Sequence, residues 1–220
     1  MLVWPLLILF GDSITEFSFR ANGWGAALSS KLVRKCDVLN RGLAGYTTRM
    51  ANHILPDLVT SANAKDTAAM TIFFGANDAV IKGTDENPQQ NVPLEEYTDN
   101  LKNIIDYLKS LGITAKKMIL ITPPPLDEAS WGKQCILQGY KLDRRNSVTG
   151  EYAKACTQVG QEYGMDVLDL WTLMQEGGQN FTAYLSDGLH LSDEGNQFLE
   201  SKLWPILEKK LSSLPHIPNT

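Results

Sequence analysis

The sequence predicts an α/β protein built around a parallel sheet, and two features of the chain lead to that prediction. Short apolar runs alternate with amphipathic stretches from one end of the 220 residues to the other, which is the pattern of βαβ units. Five of the runs have the length of buried strands and occupy residues 3–10, 37–40, 70–74, 118–122 and 167–170. Because no repeat, low-complexity tract or composition shift interrupts the pattern, we expect residues 1–220 to form one domain.

Helices are predicted between and after these strands, because apolar residues recur there every three or four positions. The apolar stripes run through residues 24–32, 50–58, 97–108, 148–163 and 199–211. Gly112 follows the third stripe and is expected to end its helix, and Ser192 is expected to cap the N-terminus of the last helix. Pro56 and Pro205 lie inside two of the stripes and predict a kink or a break in each helix.

Composition and charge argue against several kinds of binding partner and metal site. The formal net charge is −5, and Lys and Arg are scattered singly or in pairs, so nucleic acid is not expected as a partner. Cys36, Cys135 and Cys156 are an odd number of cysteines at wide spacing, which argues against a disulfide framework and against a zinc cluster. We therefore expect no metal and a reducing, cytoplasmic location.

The apolar run 2–10 is interpreted as a strand rather than as a signal peptide. It lacks a positively charged start and a small-residue cleavage site, and it runs directly into Gly11-Asp12-Ser13. No other segment approaches the roughly 18 to 20 continuous apolar residues that span a bilayer. The sequence predicts no membrane span, and it does not indicate an oligomeric state.

Two long stretches, 82–93 and 123–139, are predicted to be irregular. Both follow strands, so both are expected at the carboxyl edge of the sheet, where open α/β folds bind ligands. Trp131 lies in the second stretch and Tyr140 just after it. We expect these two aromatic side chains to form an apolar wall of a substrate pocket, although an aromatic residue at such a place is as often part of the core.

The turn after the first strand carries the first candidate for chemistry. Gly11-Asp12-Ser13 places a serine between a strand and a helix, where its hydroxyl is exposed and nearby backbone N–H groups can bind an oxyanion. The same residues also suit a simple turn with a helix cap, and from this motif alone both interpretations stay open.

Asp187 and His190 form the second candidate, just before the last helix. Because the two residues are three positions apart, the carboxylate can reach Nδ1–H of the imidazole, fix its tautomer and leave Nε2 free to take a proton. The alternative is a surface turn with a capping aspartate. His53 and His216 have no neighbouring carboxylate of this kind, and we expect both to be structural or exposed to solvent.

Two further positions suit an oxyanion hole. Asn77, in Gly75-Ala76-Asn77-Asp78, follows an apolar strand and can aim its side-chain NH₂ at a developing negative charge. Gly45 precedes a helix and can offer a backbone N–H. Each has an ordinary alternative, an Asx-turn for the asparagine and a loop glycine for the other.

Taken together and in this order, the four segments resemble the blocks of the SGNH, or GDSL-type, hydrolase family. The resemblance implies that Ser13 is a nucleophile, His190 its base and Asp187 the group that orients the base. It implies an oxyanion hole formed by the N–H groups of Ser13 and Gly45 and the amide of Asn77. It also implies a three-layer α/β/α sandwich with a five-stranded parallel sheet and no cofactor.

Within this family, three segments are most similar to the isoamyl acetate-hydrolysing esterases. They are residues 10–16, 40–49 and 185–192. This finer resemblance implies small carboxylic esters of the acetate type as substrates. The sequence departs from the usual Gly-Asp-Ser-Leu at Ile14, which is a volume-conserving change next to the nucleophile.

Other functions stay open on the sequence alone. The same machinery serves any activated acyl carbonyl, so a thioesterase or a lysophospholipase is an alternative. A phosphotransferase with Asp12 as nucleophile needs a second carboxylate two residues further on, where Ile14 stands. A binding module that kept the fold and lost the chemistry would leave Ser13 unreactive toward a fluorophosphonate.

Overall fold

A five-stranded parallel sheet lies at the centre of the structure. The structure is a computed structural model, and it describes residues 4–83, 89–178, 180–215 and 217. Its strands are β1 (Leu6–Gly11), β2 (Asp37–Gly42), β3 (Thr67–Phe73), β4 (Met118–Ile121) and β5 (Asp166–Leu168). The order across the sheet is β2-β1-β3-β4-β5, and each neighbouring pair is parallel. The winding reverses between β1 and β3, so their carboxyl ends border the crevice in which open α/β sheets bind ligands.

Helices connect the strands. The α-helices in the described residues are α1 (Ser13–Glu16), α2 (Trp24–Lys31), α3 (Thr48–Leu58), α4 (Ser61–Ala64), α5 (Leu94–Ser110), α6 (Glu128–Leu137), α7 (Asn146–Tyr163), α8 (Leu170–Gln175) and α9 (Asp193–Lys210). Short 3₁₀ turns lie at Phe17–Phe19, Ala115–Lys117, Glu176–Gly178 and Phe181–Tyr184. Within the part of the chain that the structure describes, no helix has the length and apolar character needed to cross a membrane.

Both faces of the sheet are covered, which makes three layers. Along β1, Ile8 and Phe10 belong to one buried cluster, whereas Leu7 and Leu9 belong to a second cluster on the opposite face. Side chains of α3, α5 and α7 join the first cluster, and side chains of α2, α6 and α9 join the second. Strands buried on both faces have continuous apolar runs, which is the pattern that predicted them. The predicted α/β/α sandwich is confirmed.

The five predicted strands are all present, with ends that differ by a few residues. Residue 3 of the first predicted strand lies outside the described residues. The prediction that the last strand continues to residue 170 is wrong. Asp169 accepts the backbone N–H of Thr172 at 3.2 Å and starts α8 at Leu170.

The two predicted helix ends are confirmed. Gly112 has φ +86°, which a residue with a side chain rarely adopts, and its N–H donates to the carbonyl of Lys109 at 2.9 Å. Ser192 caps α9, with its hydroxyl oxygen accepting the N–H of Gly195 at 3.1 Å.

Neither proline interrupts its helix. Pro56 lies in the last turn of α3, and Pro205 lies well inside α9, yet both helices continue through them. The prediction of a break is therefore wrong, and the alternative, a kink, stays a prediction. A proline removes one backbone bond, and the buried Leu203 and Leu207 on either side of Pro205 keep α9 packed against the sheet.

Residues 123–139 contain a helix, where the sequence predicted an irregular stretch. Asp127 starts α6, because its carboxylate accepts the N–H of Ala129 at 3.0 Å and the hydroxyl of Ser130 at 2.6 Å. The prediction that Trp131 lies in a loop is thus wrong. The helix is only 10 residues long and presents no sustained apolar stripe, which is why periodicity did not reveal it.

The other stretch, 82–93, is irregular where the structure describes it, and residues 84–88 lie outside the described residues. Its last part returns to the end of β3, with the N–H of Val92 donating to the carbonyl of Asp78 at 3.1 Å. Gln90 is thereby placed beside the carboxyl edge of the sheet.

Candidate active site

The serine follows β1 directly. Gly11 ends the strand at a place without room for a side chain, since a Cβ there would lie 2.6 Å from the carbonyl oxygen of Phe73. Asp12 then caps α1, its carboxylate accepting the backbone N–H of Ile14 at 2.9 Å. Ser13 is therefore the first residue of α1 and lies at the carboxyl edge where the strand order reverses.

Ser13, His190 and Asp187 lie in one chain of hydrogen bonds. The Oγ of Ser13 is 3.0 Å from Nε2 of His190, and Nδ1 of His190 is 2.8 Å from Oδ2 of Asp187. A serine hydroxyl, an imidazole and a carboxylate in this order can move a proton from the hydroxyl to the imidazole while the carboxylate stabilises the resulting charge.

Asp187 is held for this position by its own turn. Its second oxygen, Oδ1, accepts the backbone N–H groups of Leu189 at 2.9 Å and His190 at 2.8 Å. Burial by itself raises the pKa of the Asp187 carboxyl, but the bond from the His190 ring and these backbone bonds outweigh burial and lower it. The carboxylate thus stays charged beside the imidazole.

A cavity of about 380 Å³ opens next to His190. Phe17 forms part of its wall, with its ring centroid 5.5 Å from that of His190, and the guanidinium of Arg20 lies 3.7 Å above the Phe17 ring. Ser186 and Asn196 add polar atoms to the lining. The space beside the imidazole therefore combines an apolar ring with hydrogen-bonding groups, as small-molecule sites do.

The two remaining oxyanion candidates come from loops after β2 and β3. Gly45 has φ +80°, and its carbonyl accepts from Nε2 of Gln90 at 3.1 Å. Asn77 is buried; its Nδ2 donates to the carbonyl of Tyr46 at 3.0 Å, and its Oδ1 accepts from Arg144 at 3.1 Å. The amide of Asn77 is thus oriented with its NH₂ toward the segment that contains Gly45.

Two buried carboxyl groups flank the candidate residues in sequence. Burial raises the pKa of Asp12 to about 6 and that of Asp78 to about 7. Asp78 accepts from the backbone N–H of Thr48 at 2.9 Å and also from its hydroxyl, which ties the start of α3 to the loop after β3. The Oδ2 atoms of Asp12 and Asp78 have no hydrogen-bond partner among the described residues.

The other residues considered in the sequence analysis are two aromatic residues and two histidines. Trp131 is buried on α6, and its ring meets that of His190 edge-on at 6.4 Å between centroids. Tyr140 bonds through its hydroxyl to Gln138 and packs against the core cluster that contains Trp131, so its place in a pocket wall stays a prediction. His53 is exposed on α3, and His216 lies outside the described residues.

A metal site is not apparent in the part of the chain that the structure describes. No three His, Cys, Asp or Glu side chains there are grouped so that they could hold an ion. Cys36, Cys135 and Cys156 are buried and free.

Sequence reasoning missed Phe17, Arg144 and Gln90. Phe17 lies one helical turn after Ser13, so its position in the sequence could have indicated that it lies near the serine. The fold alone brings Arg144 to Asn77, which is 67 residues away in the chain, and to Gln90, which is 54 residues away. A charged Asp143-Arg144 pair within a polar stretch gives no sign that both side chains are buried.

Comparisons with known proteins show what the chain is similar to. The model of the GDSL-like lipase/acylhydrolase family matches residues 9–198. A Homo sapiens protein named isoamyl acetate-hydrolyzing esterase 1 homolog is 63% identical over 215 residues, which cover 97% of this chain and 86% of the relative. A GDSL esterase/lipase of Arabidopsis thaliana is 46% identical over 87% of this chain and 81% of its own length.

Among solved structures, a lipase/acylhydrolase from Enterococcus faecalis superimposes with a TM-score of 0.74 at 25% identity. The match covers 98% of this chain and 100% of the other.

Proposed function

The chain belongs to the GDSL-like lipase/acylhydrolase family, and from this premise we propose that it is a serine esterase that hydrolyses small carboxylic esters of the acetate type. One observation carries the proposal: the 3.0 Å contact between Ser13 Oγ and His190 Nε2, with Asp187 on the other ring nitrogen at 2.8 Å. That chain of bonds is what a serine needs to attack a carbonyl at neutral pH.

In the proposed reaction, Ser13 Oγ attacks the ester carbonyl carbon as His190 Nε2 takes the hydroxyl proton. The carbonyl oxygen becomes an oxyanion, which the backbone N–H groups of Ser13 and Gly45 and the side-chain NH₂ of Asn77 stabilise. The bond to the alcohol then breaks, and His190 returns the proton to the departing oxygen. Water, activated by the same imidazole, attacks the acyl-enzyme and releases the acid and Ser13.

The surroundings of His190 support a small substrate. The cavity beside the imidazole, at about 380 Å³, is near the lower end of the range of roughly 300–1,000 Å³ for small-molecule sites. Because His190 lines this cavity and is proposed to deliver its proton to the leaving alcohol, we propose that the cavity holds the alcohol group. Relatives 59–63% identical to the chain carry the name isoamyl acetate-hydrolyzing esterase 1 homolog, which supports acetate esters as the substrate class.

We also propose a reducing, cytoplasmic location. It is supported by the three cysteines, which are buried and free in the structure.

The test joins covalent labelling to an ester panel. Wild type is expected to hydrolyse acetate esters and to be labelled by a fluorophosphonate on Ser13, located by peptide mass spectrometry. Ser13→Ala is expected to be inactive and unlabelled while its circular dichroism stays native. Ser201→Ala is the matched control, since Ser201 lies on the exposed side of α9 with its hydroxyl bonded to the carbonyl of Phe198.

Each part of the proposal can fail separately in this test. Turnover retained by Ser13→Ala, or a label on another residue, rejects the serine assignment. Thioesters or lysophospholipids hydrolysed in preference to acetate esters would keep the mechanism and reject the substrate class.

A further inference from the structure

Arg144 is a buried cation at the candidate oxyanion hole, with only 3% of its surface exposed. Its Nη1 donates to Asp143 at 2.7 Å, and its Nε donates to the carbonyl of Ala76 at 3.0 Å. Its Nη2 donates to two side-chain amides, reaching Oδ1 of Asn77 at 3.1 Å and Oε1 of Gln90 at 3.0 Å. The rigid guanidinium fork thus engages four acceptors from one buried position.

The two amides point their other ends at consecutive carbonyls. Nδ2 of Asn77 donates to the carbonyl of Tyr46 at 3.0 Å, and Nε2 of Gln90 donates to the carbonyl of Gly45 at 3.1 Å. An amide side chain has one end that accepts and one that donates, whereas a guanidinium only donates. Arg144 therefore decides which end of each amide faces it, and so which end faces the Gly45–Tyr46 segment.

We propose that Arg144 is a positioning residue for the oxyanion hole, and that it acts through the amides of Asn77 and Gln90. Asn77 supplies one oxyanion donor, and its NH₂ has a second hydrogen beyond the one given to Tyr46. Gly45 supplies another donor, its backbone N–H, which must face the oxyanion. The bond from Gln90 to the Gly45 carbonyl holds this residue in place. The inference rests on the function proposed above and extends it.

Losing Arg144 has a specific chemical consequence in this arrangement. Without a donor at Oδ1, the amide of Asn77 is free to rotate, and its carbonyl oxygen can then face the developing negative charge. A repelling oxygen in place of a donor raises the energy of the transition state, and the ground-state substrate is affected much less. The effect is therefore expected in kcat and not in KM.

The experiment uses p-nitrophenyl acetate hydrolysis by three variants. Arg144→Lys replaces the fork with a single ammonium group that cannot engage all four acceptors. Gln90→Leu removes the second amide, and Gln90→Glu keeps the acceptor for Arg144 while removing the donor to Gly45. We expect kcat to fall by about 10- to 100-fold in each, with KM within about threefold of wild type.

Two matched controls separate positioning from a general structural effect. Gln175→Leu removes another half-buried glutamine that also bridges a side-chain amide and a backbone carbonyl, those of Asn146 and Trp171. Arg145→Lys makes the same exchange one residue further along, at an exposed arginine paired with Glu128. Both controls are expected to keep wild-type kcat.

A double variant tests whether Arg144 works through Asn77. In an Asn77→Ala background the amide is gone, so Arg144→Lys should lower kcat by a much smaller factor than it does alone. Equal factors in both backgrounds would overturn the proposal. Wild-type kcat in both Gln90 variants would also overturn the proposal. These variants test the network even if Arg144→Lys does not fold.

A second readout does not depend on ester hydrolysis. The side-chain NH₂ resonances of Asn77, identified by their loss in Asn77→Asp, should shift or broaden in Arg144→Lys and stay unchanged in Arg145→Lys. If wild type hydrolyses no ester, the proposed function fails while these resonances still decide the role of Arg144. Unchanged Asn77 resonances in folded Arg144→Lys would overturn the inference in either case.

Discussion

The backbone N–H of Asp127 donates to the carbonyl oxygen of Gly188 at 2.9 Å, so the start of α6 is bonded to the turn between Asp187 and His190. Gly188 has φ +97°, and a Cβ placed on it would lie 2.5 Å from the nitrogen of Trp131 and 2.6 Å from the carbonyl oxygen of Asp127. The turn that spaces carboxylate and imidazole is therefore set by a close approach that only glycine permits.

Gly188→Ala is expected to lower both the Tm and kcat/KM, because the turn must move away from α6 and carry His190 with it. A displacement of this kind can lower the rate by about 10²-fold. The matched control is Gly112→Ala, since Gly112 has a similar φ of +86° with no atom within 4 Å of its added Cβ. That variant should lose some Tm and keep kcat/KM; equal kinetic effects in the two variants would contradict the role of the contact.

Asp187→Asn is expected to lower kcat on the order of 10⁴-fold at pH 8, with native circular dichroism. The amide cannot stabilise the imidazolium, and its NH₂ favours the wrong tautomer of His190. The pKa of the Asp187 carboxyl is below its ordinary value, so this group stays charged as the pH falls toward that value. In wild type, a loss of kcat/KM in mild acid is therefore not expected to come from protonation of Asp187. A loss of less than about tenfold in Asp187→Asn would mean that the carboxylate does not support the base.

Trp131 is predicted to limit the alcohol group of the substrate, because its ring meets that of His190. Trp131→Ala should increase the preference for esters of bulkier alcohols, measured as ratios of kcat/KM across an alcohol series. Trp131→Phe keeps a ring there and removes only the 2.8 Å bond from Nε1 to Asp143, so it should retain the wild-type ratios. If both variants shift the ratios equally, the cause is the loss of the bond to Asp143 and not the loss of the Trp131 ring as a pocket wall.

The parts of the site predicted from sequence are those encoded in short segments. Asp12 and Ser13 follow a strand directly, and the turn from Asp187 to His190 is closed by its own backbone bonds, so neighbouring residues define both. Helix ends such as Ser192 are equally local. Strands β1, β3 and β4 could be predicted because both of their faces are buried, which leaves nearly uninterrupted apolar runs. The edge strand β2 is only half-buried and its apolar run is short.

The parts that sequence did not predict depend on packing between distant elements. Helix α6 is held by its contact with Gly188 and by the buried Trp131, neither of which creates a repeating pattern along the chain. Arg144 donates to the side-chain amides of both Asn77 and Gln90, and it reaches them from a different loop. Charged and amide side chains at such positions are usually exposed, so only the fold reveals that they are buried.

Asp78 is expected to make the free energy of unfolding depend on pH. Its carboxyl is buried, and burial raises its pKa from 3.8 to about 7, against the bonds from Thr48 and with a further rise from the charge of Asp12. The folded protein thus binds a proton that the unfolded chain releases, between about pH 4 and about pH 7. The contribution of Asp78 to the free energy of unfolding therefore falls as the pH rises through that window, and is lowest above it.

Asp78→Asn removes this titration and keeps the oxygen that accepts from Thr48. Its Tm relative to wild type is therefore expected to rise between pH 4.5 and pH 8, by about 2–4 °C for each kcal/mol of destabilisation removed in a chain of this size. Thermal unfolding followed by circular dichroism across this range measures the difference. Asp57→Asn, at an exposed carboxyl on α3, should keep a constant difference from wild type. If the Tm difference between Asp78→Asn and wild type were also constant, the Asp78 carboxyl of wild type would be equally protonated in the folded and unfolded chain. Burial would then not raise its pKa.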